Sequence, residues 1–349
     1  MDAGNGILKE RGRGSDPVES HMIASRFFVF FASFFLGLIF MFAGEKIATR
    51  YRILMHKNIP HIGGIAFGAA FIITSSAWFY STGSFSKEFQ GFLFAALAMF
   101  LFGLCDDLRE LSVPAKFLGQ SIPVIILIFS GVTTHIAYIG EFWNIVITVL
   151  WVVGITNSFN LLDIGDGLAA GVAVLVGISF SVLCFFSGNS NTFVLSLIVS
   201  GSLIGFLARN LPPAKIYMGN CGSHFLGFVL AVLAMMVHYA GLSNKIALLS
   251  PVLILWLPLW DTGLLIALRL SKKRIPFFKS RDHVYLRFLS LGYSRMKALK
   301  MMIALCAVFC LCGIFLAKVP FVFGGALIAA AGFLTAVVSI RISKVDIDG

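Results

Sequence analysis

Two adjacent carboxylates, Asp106 and Asp107, follow an apolar run in the stretch Gly103-Leu-Cys-Asp-Asp-Leu-Arg109-Glu110. Acids paired in this way bind Mg2+, hold a lysine, or accept a proton from a phosphate. A second group, Asn157, Asn160, Asp163 and Asp166, recurs every three positions ahead of Gly167 and Gly171. On a helical turn that spacing puts Asn157, Asn160 and Asp163 on one face, where their oxygens can ligate a hard cation or meet a nucleobase. A helix opening near Asp166-Gly167 offers backbone amides to an anion, and a plain N-cap at Asp166 is the simpler alternative.

A third group runs from Pro212 to His224 and contains Lys215, Tyr217, Gly219, Asn220, Gly222 and Ser223. Its glycines allow close backbone approach to a ligand, Lys215 brings charge, and Tyr217 can stack on a base. The fourth is the basic stretch from Leu268 to Lys297, with Asp261 ahead of it and Asp282-His283 inside it. A basic loop alone serves topology or anionic lipid. Carboxylates, amides, glycines and bases together form the inventory of phosphoryl transfer, in which cationic groups neutralise phosphates that the protein positions.

The elements that must carry these groups are membrane helices. The chain has 349 residues, of which 58% are hydrophobic and 12% charged, and its mean hydropathy is +0.93. That leaves too little polar material to wrap a water-soluble globule of this size. About eleven apolar runs are long enough to cross a bilayer. They lie near 25–44, 62–81, 89–105, 117–134, 142–158, 167–187, 191–208, 222–240, 246–269, 298–317 and 321–341. The expected fold is an all-α polytopic membrane protein with short loops and no soluble catalytic domain. Residues 1–22, ending Ser20-His21-Met22, are polar and aperiodic and read as a disordered expression leader, with residues 23–349 as a single integral membrane domain. Cys105, Cys184, Cys221, Cys306, Cys310 and Cys312 lack metal-ligand or disulfide spacing and read as buried apolar residues.

With the first helix running inward, nearly all lysines and arginines fall on one face. Lys87, Lys245, Lys318 and Arg26 are left on the other. The positive-inside rule makes the basic face cytoplasmic. Asp106, Asp107, Glu110, Asp163, Asp166, Asp261, Asp282 and Glu45 gather on that same face, although acids contribute little to orientation. Carboxylates at membrane depth are costly and mark function. The Asp106-Asp107 pair and Asp163 also follow the C-terminal ends of inward-running helices, where the macrodipole disfavours negative charge, so cationic partners are expected.

At these residues the sequence resembles the polyprenyl-phosphate N-acetylhexosamine-1-phosphate transferase superfamily, in its bacterial branch that primes surface-polysaccharide synthesis. The resemblance spans about residues 45 to 295. It is carried by Pro60-His-Ile-Gly63-Gly64-Ile, Asp106-Asp107, Asn157 through Gly171, Pro213 through Gly219, Gly222-Ser223 with Leu226-Gly227-Phe228, and Pro258-Leu-Trp-Asp261. It implies transfer of a sugar 1-phosphate from a UDP-N-acetylhexosamine to undecaprenyl phosphate, with release of UMP, in a bacterial inner membrane. It further implies a Mg2+ requirement with Mn2+ as a substitute, no nucleic-acid partner, and an assembly that admits a homodimer.

By the same resemblance Asp106 or Asp107 handles the lipid phosphate, as its base or by holding cationic partners. Asn160 and Asn220 correspond to the metal ligands. Asp163 and Asp166 face the nucleotide with Asn157, Tyr217 stacks near the uracil, and His283 with Arg287 reaches the diphosphate or sugar. Lys57, Lys116 and Lys215 supply phosphate contacts. The chain departs from the family pattern Gly-Asp-x-Gly-Ser at Asn220, where an oxygen donor remains and its charge is lost. Three readings stay open there: a slow enzyme, an inactivated variant that binds substrate without turnover, or a natural sequence with a compensating carboxylate. The family's His-rich pattern keeps only its first histidine, His283.

Overall fold

The computed structural model describes residues 17–56, 58–239, 244–273 and 282–345. Its helices are α1 (Pro17–Tyr51), α2 (Gly63–Thr82), α3 (Lys87–Leu108), α4 (Val113–Phe129), α5 (Gly140–Leu162), α6 (Leu168–Ser187) and α7 (Ser190–Asn210). They continue as α8 (Gly219–Met236), α9 (Ser250–Ile254), α10 (Trp256–Ser271), α11 (Val284–Ser290), α12 (Arg295–Leu316) and α13 (Phe321–Ser343). A two-stranded antiparallel ribbon, β1 (Met55–His56) with β2 (Ile59–Pro60), pairs Met55 with Pro60 and His56 with Ile59. The protein is therefore an all-α polytopic membrane protein. Among the described residues 9 helices are long and apolar enough to cross a membrane, or up to 10 if the bent pair is one span, with Val113–Phe129 as a shorter apolar helix.

Each apolar run of the sequence falls on helix, with two differences. The run at 246–269 is not one straight span: Lys245–Ile254 and Trp256–Ser271 meet at a bend of 73°. Pro258 is the cause, because it has no N–H to give the Ile254 carbonyl four residues earlier. The Cys310 thiol of α12 meets that carbonyl instead, at 3.7 Å. The second difference lies at the start. Helix α1 already includes residues 17–22, which the sequence assigned to a disordered leader. Once a long apolar helix is nucleated, further turns extend it at little cost. Residues 1–16 of that leader lie outside the described residues.

Alternation of the helices brings the ends of α1, α3, α5, α7, α10 and α13 and the starts of α2, α4, α6, α8 and α12 to one side of the bundle, here called the site end. α8 forms the axis, packed on α2, α3 and α5. α1 and α13 are the least buried of the spans and present apolar side chains such as Phe28, Phe35, Phe323 and Phe333 outward, as expected where the solvent is lipid.

Close packing of α2 on α8 depends on two glycines. A Cβ on Gly64 would lie 2.1 Å from the Gly222 nitrogen and 2.7 Å from the Met218 carbonyl oxygen, both backbone atoms that cannot yield separately. The Gly64→Ala protein is therefore expected to lose about 1–3 kcal/mol or more through overpacking. A thermal-shift measurement in detergent checks this, and an unchanged transition would contradict the contact.

Candidate active site

Helix α3 ends at Leu108, so Asp106 and Asp107 occupy its last turn, where free carbonyls concentrate negative potential. Each carboxylate is compensated, and by a different device. Asp106 is buried, and its Oδ2 lies 2.7 Å from Lys116 Nζ at the start of α4. Its Oδ1 accepts from the Leu111 amide at 2.9 Å, which closes the short α3–α4 turn around it. Asp107 accepts from the Asn220 amide at 2.7 Å and the Cys221 amide at 2.8 Å. It thus caps the N-terminus of α8, whose first turn has no cap from its own chain neighbour Met218. The positive end of one helix dipole neutralises the acid at the negative end of another. Gly219 makes room for this, since its φ is +74° and a Cβ there would sit 2.8 Å from Asp107 Oδ2.

Helix α5 carries the second group. Asn157 bonds Gln120 of α4, donating Nδ2 to Gln120 Oε1 at 2.8 Å. One step on, Asn160 turns to α8 and donates Nδ2 to Ser223 Oγ at 2.8 Å and to Asn220 Oδ1 at 3.3 Å. Spacing of three therefore does not hold Asn157, Asn160 and Asp163 against one partner. Three residues turn a helix through about 300°, so successive members drift around the surface by about 60°. Asp163 ends the helix as its C-cap. Burial, then the charges of Asp107 and Asp166, push its carboxyl up to about 7.

A folded-state value above the unfolded 3.8 means that the folded protein holds more protons across the interval between them. Stability contributed by Asp163 is then present below pH 4 and falls until about pH 7. Thermal unfolding of metal-free protein should show a lower midpoint at pH 8 than at pH 5. Asp163→Asn should flatten that slope; an unchanged slope would remove Asp163 as its source.

The loop at 211–218 lies over this region. Asp166 Oδ2 accepts from the Ala214 amide at 3.1 Å and lies 3.7 Å from the exposed Arg295 guanidinium. Asn210 ties the loop down, accepting from the Gly167 amide at 3.0 Å and donating to the Ile216 carbonyl at 2.8 Å. The Pro60 to Gly64 stretch pairs with it through the Tyr217 amide to Pro60 oxygen at 2.9 Å and the Gly63 amide to Tyr217 oxygen at 3.0 Å. Tyr217 is partly exposed and its ring meets His61 edge-on at 5.3 Å. Lys215 is exposed on the same loop. Lys57 lies outside the described residues.

The fourth group behaves differently from the sequence expectation. His283, the N-cap position of α11, is buried with Nδ1 2.7 Å from Asp261 Oδ2, while the Val284 amide donates to Asp261 Oδ1 at 2.8 Å. Arg287 is buried in an internal fastening. It bonds Asp282 Oδ1 at 2.8 Å and donates to the Ile342 and Val345 carbonyls at 2.9 Å each, closing the end of α13. A guanidinium held by its fork in this way anchors two helices. Gln120 escaped the sequence reading, while His224 and His61 stood in its motifs without a role. Gln120 lies four residues after Lys116 and His224 four after Asn220, each one helical turn along the same face, which is the signal that would have singled out these two.

Asn160, Asn220, Asp163 and the neighbouring Asp107 and Asp166 supply oxygen donors only, the chemistry of a hard cation. Among the described residues no three His, Cys, Asp or Glu side chains converge on a metal-sized point. The oxygens named would suit a Mg2+ whose shell is completed by phosphates.

The fold and these side chains define a polytopic helical protein with an acid- and amide-lined cluster at one end of its bundle. Residues 89–238 match the glycosyl transferase family 4. The chain is 32% identical over 250 residues to the probable undecaprenyl-phosphate N-acetylglucosaminyl 1-phosphate transferase of Bacillus subtilis (strain 168), covering 68% of each chain. It is 28% identical over 310 residues to the decaprenyl-phosphate N-acetylglucosaminephosphotransferase of Mycolicibacterium smegmatis, covering 77% of this chain and 74% of the relative. Phospho-N-acetylmuramoyl-pentapeptide-transferase of Listeria monocytogenes is 31% identical over 210 residues, covering 53% of this chain and 64% of the relative. The chain belongs to glycosyl transferase family 4, within the polyprenyl-phosphate N-acetylhexosamine-1-phosphate transferase superfamily.

Proposed function

We propose that the protein transfers N-acetylhexosamine 1-phosphate from a UDP-sugar to undecaprenyl phosphate. An oxygen of the lipid phosphate attacks the sugar-bearing phosphorus of the UDP-sugar. The bond from that phosphorus to the oxygen bridging the two phosphates breaks, UMP leaves, and a lipid-linked diphosphate sugar remains. That product starts assembly of a surface polysaccharide or O-antigen. The positive-inside distribution supports a site at the cytoplasmic face of a bacterial inner membrane.

The observation that carries this reading is the ion pair of the buried Asp106 with the partly exposed Lys116, which starts the helix that lines an apolar groove. The groove, about 490 Å³, runs between α4 and α5 past Phe117, Val124, Ile128, Val149 and Val153, and Lys116 immediately precedes Phe117. An isoprenoid chain suits the groove, and its phosphate then meets the Lys116 ammonium. Asp106 acts here by holding that ammonium in place. Asn160 and Asn220 would hold Mg2+, or Mn2+ in its stead, which supplies charge neutralisation for the diphosphate. Tyr217 and Asp166 line the approach for the uridine. His283 and Lys215 flank the sugar and phosphates, with Asp261 fixing the histidine ring.

Purified protein incubated with Mg2+, UDP-N-acetylglucosamine and undecaprenyl phosphate is expected to release UMP and form the lipid diphosphate. Absence of product from both this protein and its Asn220→Asp variant, across a panel of UDP-sugars, would overturn the reading. The neutral Asn220 favours a second reading, a silent scaffold that binds nucleotide sugar without turnover. Calorimetric binding of UDP-sugar with no product from either protein would select it.

A further inference from the structure

His224 of α8 is fully enclosed and has no part in the reaction as set out above. A histidine at this depth among apolar helices is costly unless something engages it. Its ring packs against Phe102 at 5.4 Å, Nδ1 lies 3.4 Å from Gln120 Nε2, and Nε2 lies 3.5 Å from Asp106 Oδ2.

The direction of every donor in this buried chain can be worked out from one backbone atom. Asn157 Nδ2 lies 2.8 Å from the Val153 carbonyl oxygen, which can only accept, so that atom of Asn157 is its nitrogen. The same Nδ2 lies 2.8 Å from the facing oxygen of Gln120, which must therefore accept. The other end of the Gln120 amide is then its NH2 and points at His224 Nδ1. A ring nitrogen that accepts carries no proton, so the neutral His224 carries its proton on Nε2, facing Asp106. Lys116 Nζ approaches the same Asp106 oxygen at 2.7 Å from the opposite element.

We propose that His224 and Gln120 are positioning residues for the transfer: the relay from the Val153 carbonyl through Asn157, Gln120 and His224 fixes Asp106, and through it Lys116, against the lipid phosphate. This rests on the reaction proposed above. The relay joins side chains of α5, α4, α8 and α3, so the amide cluster of α5 and the ion pair of α3 and α4 are mechanically one unit. A displacement of Asn157 when a ligand binds is felt at Asp106 through two intervening side chains.

Nitrogen-15 histidine NMR of the protein in detergent tests the relay independently of turnover. His224 is expected as the Nε2-protonated tautomer, and that preference should vanish in Gln120→Leu. A wild-type signal from the Nδ1-protonated tautomer would overturn the proposal. In kinetics, on the Asn220→Asp background, His224→Leu should lower kcat by at least about tenfold, the scale seen when an orienting partner is removed. The KM for UDP-sugar should stay within about twofold, because the contact acts on the other substrate. His224→Gln places an amide NH2 where the ring Nε2 stood and should recover most of the lost kcat. An unchanged kcat in His224→Leu, or no recovery in His224→Gln at equal thermal stability, would also overturn it. Should no protein release UMP, the reaction reading fails while the tautomer measurement still decides whether the relay exists.

Discussion

Asn220→Asp should raise the rate of Mg2+-dependent UMP release at least about ten- to a hundredfold, the range by which a single supporting contact alters a metal site. Asn220 Oδ1 already accepts from Asn160 Nδ2 at 3.3 Å, so its side chain lies among the proposed ligands. Aspartate is nearly isosteric. It exchanges an NH2, which can only donate, for a second oxygen, and it adds a full negative charge where a divalent cation is to be held. The metal dependence should move with the rate, so the Mg2+ concentration for half-maximal activity falls in the variant. Equal rates and equal Mg2+ dependence in the two proteins would show that Asn220 does not ligate the metal.

Asp106→Asn should lower kcat by about a hundred- to ten-thousandfold, the contribution of a positioned charged group in such a reaction. The amide keeps the acceptor used by the Leu111 amide but can turn an NH2 toward Lys116. That releases the ammonium from its place beside Asp106. UDP-sugar binding should survive, since Asp106 contacts none of Asn160, Asn220 or Tyr217. Asp107→Asn has a different signature. It removes one of two acceptors from the start of α8 and leaves a buried N–H unmatched, which costs about 1–3 kcal/mol. Lowered thermal stability should therefore accompany its loss of activity. Matching kinetic and stability profiles for the two variants would deny the division of labour between the adjacent acids.

That division could not be read along the chain. Asp106 and Asp107 look equivalent as a pair, but neighbouring helical residues point about 100° apart, so Asp106 reaches Lys116 of α4 and Asp107 the N-terminus of α8. Three such steps leave Asn157 and Asn160 about 60° apart. Spacing of three suggests a shared face, yet one residue reaches Gln120 of α4 and the other Ser223 of α8. Arg287 misled for another reason. The resemblance puts Arg287 with His283 at the diphosphate or sugar, and only the return of α13 to the same end shows that the Ile342 and Val345 carbonyls occupy the guanidinium.

By itself the sequence determined the all-α membrane architecture, the gathering of acids and bases at one face, and the motif groups that make up the site. These follow from local quantities: the length of apolar runs, the charge of loops, and residue types that recur at fixed short intervals. Tertiary structure alone decided which group compensates which carboxylate and that the α9–α10 span is bent. It also brought Gln120 and His224, 104 residues apart, to one buried contact. Hydrogen-bond partnership is set by the packing of helices distant in the chain, and no local spacing encodes it.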